Sequence, residues 1–169
     1  MEIRQARLQD TSAMLEIYRP HIEASTTSFE LTTPSVEEFA RRVTSALETH
    51  DWLVMQDGDV ISGYAYGTAH RAREAYRFAV ETSVYVHTDY HGQGIGRALY
   101  EALFVSLDAL GYHNAYAGIT LPNVASEALH AALGFSRIGV FSEVGYKNGA
   151  WHDVSWWQRP LKPEAVAKP

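Results

Sequence analysis

The chain contains no cysteine in its 169 residues. Disulfides, thiolate zinc sites and a cysteine nucleophile are therefore excluded. It has no block of lysine and arginine, and its formal net charge is −6. A broad nucleic-acid surface is not expected from such a chain. No apolar run approaches the roughly 20 residues of a membrane span. The opening MEIRQARLQD lacks the apolar stretch of a signal peptide. The eight histidines show no His-x3-His pair with an acidic partner on one helix, so no metal site is expected. These absences point to a soluble cytoplasmic protein with no metal, nucleic-acid or membrane partner.

What is present is material for a core. The chain is 46% hydrophobic, and its length fits one domain. Residues 1–161 read as that domain and residues 162–169 as a tail. EIRQARL alternates as a strand. Asp10 or Thr11 can cap a first helix with the stripe Met14, Ile17, Tyr18 and Ile22. Pro20 should kink or shorten it. STTSFELTTP reads as extended chain or loop. Ser35 and Glu38 form a capping-box pattern before a helix over roughly 36–48. WLVMQ and VISGYAYG flank DGD, a hairpin signal.

ETSVYVH reads as a strand, followed by a helix from about Gly94 to Leu110 that Gly111 stops. NAYAGIT is a strand, LPN a turn, and a short helix runs to Leu133. FSRIGVFSEVGY and AWHDVSWWQ flank KNG, a second hairpin. Alternation sets Trp151, Asp153, Ser155 and Trp157 against His152, Val154 and Trp156. So many aromatics predict burial on both faces, with a subunit interface as the second reading. A mixed sheet covered by helices satisfies the whole pattern.

YHGQGIG, residues 90–96, lies at a strand-to-helix junction. A helix N-terminus leaves about four N–H groups unpaired and carries a positive dipole end. A phosphate satisfies both, and glycine removes the Cβ atoms that would hold it away. A tight turn with packing glycines is the competing reading. The acidic residue of a dinucleotide fold and the GK[ST] of a P-loop are both missing.

The run V-Y-V-x5-G-x-G, followed by helix, strand, LPN, helix and LGF, resembles the GNAT superfamily of N-acetyltransferases. That family's motif, [Arg/Gln]-x-x-Gly-x-[Gly/Ala], falls on His91 to Gly96, with His in the first place. HIEASTTSFE, ARxAYxxxxETSVYV, LHxALGF and GYKNGAWHDVSWWQ resemble the phosphinothricin and methionine sulfoximine N-acetyltransferases within it. The resemblance implies an α/β (α+β) fold, a mixed, mostly antiparallel sheet of about seven strands with helices on both faces. It implies acetyl-CoA as co-substrate, a small amino acid or analogue as acceptor, and a homodimer. Gly92, Gln93, Gly94, Ile95, Gly96 and Arg97 would hold its pyrophosphate. Backbone groups of Val84, Tyr85 and Val86, on a strand that splays in this fold, would pair with the pantetheine arm. Asn123 would add a hydrogen bond, or cap the next helix.

Acetyl transfer to an amine requires proton removal, carbonyl polarisation, thiolate stabilisation and alignment. Glu81 is the leading base, set against a solvated strand carboxylate. His130 stands where many relatives carry a proton-donating Tyr, and packing is its alternative role. Arg71 and Arg73 offer forks for a substrate carboxylate, or form a solvated basic loop. Phe29 and Tyr76 match positions near the substrate, or pack in the core. His50, His70, His87 and His113 read as element ends or surface residues. Without cysteine, direct transfer in a ternary complex is expected. A protein N-acetyltransferase and a non-catalytic acyl-CoA sensor are the competing functions.

Overall fold

Residues 1–162 are described in the computed structural model, and two hairpins supply four of the seven strands. β2 (Trp52–Asp57) and β3 (Val60–Ala69) turn through Gly58. β6 (Ser136–Lys147) and β7 (Ala150–Pro160) turn through Asn148 and Gly149. Those two residues have φ of 54° and 78°, the left-handed pair a tight hairpin uses. β1 (Glu2–Gln5), β4 (Ala79–Val86) and β5 (Asn114–Thr120) complete the order β1-β2-β3-β4-β5-β7-β6. Among the described residues only β4 and β5 pair in parallel.

Alternation along β2 divides the core. Trp52 and Val54 face α1 (Thr11–Glu23) and α2 (Val36–Thr49). Leu53 and Met55 face α3 (Ile95–Ala109), and Leu129 of α4 (Val124–Ala132) packs on that side too. The helices thus cover both faces, as expected. Leu99, Leu103 and Leu107 lose all exposure at helical spacing, each contributing about 1.5–3 kcal/mol. Ser35 caps α2 by accepting from the Glu38 N–H at 3.2 Å. Of the expected tail, residues 162–169, all but Lys162 lies outside the described residues.

Two local expectations need correction, and one is narrowed. Pro20 lies in the last turn of α1, and the helix stops within one turn of it, at Glu23. Its missing N–H costs one bond there, and Ile22 beyond it stays buried. Trp151 is 60% exposed near the hairpin tip, so β7 is not buried on both faces along its length. Asp10 does not cap α1 with its side chain. Its carboxylate instead takes the Arg4 fork at 2.7 and 2.8 Å and the Arg7 N–H at 2.7 Å.

Burial pushes the Asp10 carboxyl up, but the Arg4 bonds and the Arg7 N–H outweigh it and hold it below its ordinary value. The folded state therefore binds this proton more weakly than the unfolded chain. The stabilisation is complete above the ordinary carboxylate range of about 4 and is lost as pH falls through the lower folded value. Asp10→Asn should flatten that acid limb in denaturant titrations at graded pH. An unchanged limb would show that the pair contributes no linked stability.

Candidate active site

β4 and β5 are paired over only three residues, Ala79↔Asn114, Val80↔Ala115 and Glu81↔Tyr116. Both strands continue, β4 to Val86 and β5 to Thr120, so the sheet splits above Glu81. The Thr82 hydroxyl reaches the Tyr116 carbonyl at 3.3 Å, at the vertex. The His87 N–H donates to the Ser62 carbonyl. In an antiparallel ladder bonded pairs alternate, so Tyr85 and Ser83 also face β3. The peptide groups of Thr82, Val84 and Val86 then point into the split. Tyr100 donates to the Thr82 carbonyl at 3.3 Å, as this parity requires. The resulting cleft passes between Val84, Tyr85, Gly118, Asn123, Tyr100 and His130.

The glycine turn sits at the open end of β4. Gly92 and Gly94 have φ of 74° and 79°, and a Cβ at either would meet nothing within 4 Å. These two glycines are demanded by left-handed backbone in open space. Gly96 is different: a Cβ there would touch Leu129 and Val86 at 3.5 and 3.6 Å, ordinary packing distances. The first helical bond of α3 runs from the Ala98 N–H to the Gly94 carbonyl. The N–H groups of Ile95, Gly96 and Arg97 consequently have no carbonyl within the helix, and Gly94 supplies no side-chain cap. The His91 ring straps back, donating from Nε2 to the Val86 carbonyl at 3.0 Å. Gln93 donates to the Asp89 carbonyl and Arg97 pairs with Glu101 at 2.9 Å.

Glu81 lies on the face of β4 away from α3, directly opposite Tyr116. Its Oε1 accepts from His70 Nδ1 at 2.8 Å. No local pattern announces this contact, because His70 follows the end of β3 and reads there as a surface residue. Its ring stacks on Tyr116 at 4.6 Å and meets Tyr76 edge-on. Arg71 donates from Nε to His70 Nε2 at 3.4 Å and lies over the Tyr76 ring. Arg71 and Tyr76 thus join the Glu81 neighbourhood. Arg73 is exposed and makes no side-chain hydrogen bond or ion pair among the described residues.

His130 is 3% exposed on α4. Its Nδ1 faces the Ser126 carbonyl at 2.7 Å and therefore carries the proton. Nε2 is left to face the Tyr100 hydroxyl at 3.2 Å. Burial lowers the imidazole below its ordinary value, with the Ser126 bond opposing. The ring is thus neutral near pH 7, with its one proton tied to backbone. Burial also keeps the Tyr100 hydroxyl protonated. Asn123 caps α4, its Oδ1 accepting from the Ser126 N–H at 3.1 Å, and its side-chain N–H groups have no partner among the described residues.

Phe29 belongs to the irregular segment between α1 and α2. It lines a second part of the cleft with Thr27, Gly118, Phe141 and Trp156. A Cβ at Gly145 would collide with the Phe29 ring, so glycine there makes room for it. Lys147, 3% exposed, reaches the Ile22 and Ser28 carbonyls at 2.6 and 2.7 Å. The GYK of β6 therefore seats the segment that carries Phe29.

The profile of the acetyltransferase (GNAT) domain matches residues 3–156. A phosphinothricin N-acetyltransferase of Streptomyces viridochromogenes is 37% identical over all of this chain and 92% of its own length. A methionine sulfoximine/methionine sulfone acetyltransferase of Salmonella typhimurium is 34% identical over 98% of each chain. Among solved structures, a phosphinothricin acetyltransferase of Sinorhizobium meliloti in complex with acetyl-CoA superposes with a TM-score of 0.94. It is 37% identical, over 99% of this chain and 92% of that one. Strand order, split sheet and sequence agree, and the chain belongs to the GNAT family of acetyltransferases.

Proposed function

We propose that this acetyltransferase moves the acetyl group of acetyl-CoA to the α-amine of a small amino acid or analogue, of the phosphinothricin or methionine sulfoximine type. The observation that carries the reading is the split between β4 and β5, with unpaired N–H groups at its mouth and Glu81 at its vertex. Acetyl-CoA fits these residues. The open turn at Gly92 and Gly94 and the N–H groups of Ile95, Gly96 and Arg97 suit its pyrophosphate. The Val84 peptide edge suits its amide-bearing arm, as in strand addition. Bound acetyl-CoA supplies the acetyl group as an activated thioester.

The chain supplies the rest. Glu81 accepts the proton of the substrate ammonium, freeing the nitrogen lone pair to form the new N–C bond. The Val86 N–H, aimed into the split, donates to the carbonyl oxygen as charge develops. The Asn123 amide adds a donor to the cofactor arm. Tyr100, its hydroxyl donating to the Thr82 carbonyl, and neutral His130 line the cleft wall, and the departing thiolate takes its proton from solvent. With no cysteine to carry an acyl group, transfer is direct. Acetyl-CoA is an intracellular metabolite, so the reading places the enzyme in the cytoplasm. Exposed Phe141, Val144, Tyr146 and Trp151 on the β6–β7 hairpin favour a homodimer.

Exposed Arg71 beside the His70–Glu81 pair favours a free substrate carboxylate over a peptide. Arg71→Ala should raise the amino-acid KM by about 10- to 100-fold, with the acetyl-CoA KM unchanged. An unchanged amino-acid KM would remove this loop from the pocket. The reading as a whole is tested by thiol release from acetyl-CoA with amino acids, methionine sulfoximine, methionine sulfone, phosphinothricin and peptides. Turnover with peptides alone would establish a protein acetyltransferase. Thermal stabilisation by acetyl-CoA without turnover would establish a sensor.

A further inference from the structure

We propose that His70 is a positioning residue for Glu81, holding the carboxylate in one rotamer with Oε2 turned to the substrate amine. The inference rests on the reading of Glu81 as the proton acceptor, and adds a residue that this reading does not need. Thr68 lies directly opposite Glu81 in the β3–β4 ladder. His70 is two residues beyond Thr68, on the same face, in the diagonal position from which a ring can reach Glu81. The pleat itself therefore delivers the imidazole to the carboxylate.

The tautomer is fixed by its two partners. The Arg71 Nε–H can only donate, so His70 Nε2 is the acceptor and carries no proton. The imidazole is then neutral, and its one N–H, at Nδ1, points to Glu81 Oε1 at 2.8 Å. The ring is clamped as well as bonded. It stacks on Tyr116 at 4.6 Å and 15° and meets Tyr76 and Trp156 edge-on. The His70 side chain is 13% exposed while that of Glu81 is 35% exposed. Glu81, Arg71, Tyr76, Tyr116 and Trp156 are the groups that face it. Among the described residues Glu81 Oε2 has no hydrogen-bond partner. One carboxylate oxygen is thus anchored and the other is open to an incoming ammonium. In the step itself a substrate N–H bond breaks and an O–H bond forms on Oε2, and the His70 proton stays on Nδ1.

The test compares His70→Phe with His70→Asn. Phenylalanine keeps the stack on Tyr116 and removes the donor. Asparagine gives up the ring, but its amide can donate from nearly the same place. The expected result is a fall in kcat of about 10- to 100-fold for His70→Phe, with most of it restored in His70→Asn. The acetyl-CoA KM should stay constant in both. Glu81→Gln/His70→Phe should be no slower than Glu81→Gln alone, since the two side chains act as one unit. Wild-type kcat in His70→Phe, with Glu81→Gln impaired, would overturn the role of His70 and leave that of Glu81 standing. Wild-type kcat in Glu81→Gln would overturn both. Equal losses in the two His70 variants, with matched falls in melting temperature, would assign the ring to packing and end the proposal.

Discussion

Glu81→Gln should lower kcat by about 100- to 10,000-fold while leaving acetyl-CoA binding intact. Glutamine is nearly isosteric, and its carbonyl oxygen can still accept from His70 Nδ1. The substitution therefore removes the charge and proton affinity and spares the geometry. Acetyl-CoA affinity should persist because the N–H groups of Ile95, Gly96 and Arg97 and the edge of β4 are untouched. The loss amounts to about 3–5 kcal/mol of transition-state stabilisation. The deficit should shrink as pH rises, because the substrate amine then arrives already deprotonated and needs the carboxylate less. Initial rates from neutral to alkaline pH, with acetyl-CoA affinity from calorimetry, check both halves. A variant equally impaired at every pH would make Glu81 a binding residue rather than a base.

The order of elements was legible because the local signals agreed with one another. Ser35 with Glu38, Gly58, Gly111 and Asn148–Gly149 mark ends and turns that each depend on a few neighbouring residues. The glycine turn was legible for the same reason, since Gly92 and Gly94 need left-handed backbone whatever surrounds them. What escaped the sequence depends on register. His70 reaches Glu81 only once Thr68 is set opposite Glu81, a pairing across a loop that no local pattern encodes. The split of β4 from β5 is likewise a failure to pair, and strands that part look like strands that continue. Asp10 reads as a cap until β1 brings Arg4 beside it. Lys147 was hidden most completely, because a lysine before Asn-Gly is ordinarily a solvated turn residue and here it is buried.

Lys147→Met should lower the melting temperature by roughly 5–15 °C and raise the amino-acid KM with it. Lys147 Nζ donates to the Ile22 carbonyl at the end of α1 and to the Ser28 carbonyl beyond it. Methionine fills the same length without a donor, so both carbonyls lose this partner in a buried place. Each such loss costs about 1–3 kcal/mol, more where the lost partner is charged. In a domain of this size each kcal/mol corresponds to about 2–4 °C. The functional consequence follows from what Ser28 anchors. Its hydroxyl pairs with Tyr18 at 2.7 Å, Tyr18 reaches Glu30 at 3.0 Å, and Glu30 binds Arg42 of α2. Thr27 and Phe29, on either side of Ser28, line the cleft, and Phe29 rests over Gly145, two residues before Lys147. One hairpin strand thus both receives the Phe29 ring and ties down the backbone that carries it. Releasing the tie should cost substrate affinity more than acetyl-CoA affinity, since the glycine turn and α3 lie outside this network. Thermal melts and separate KM measurements for the two substrates decide the matter. An unchanged melting temperature would mean that water replaces the ammonium without cost, and a rise in the acetyl-CoA KM alone would place the segment on the cofactor side of the cleft.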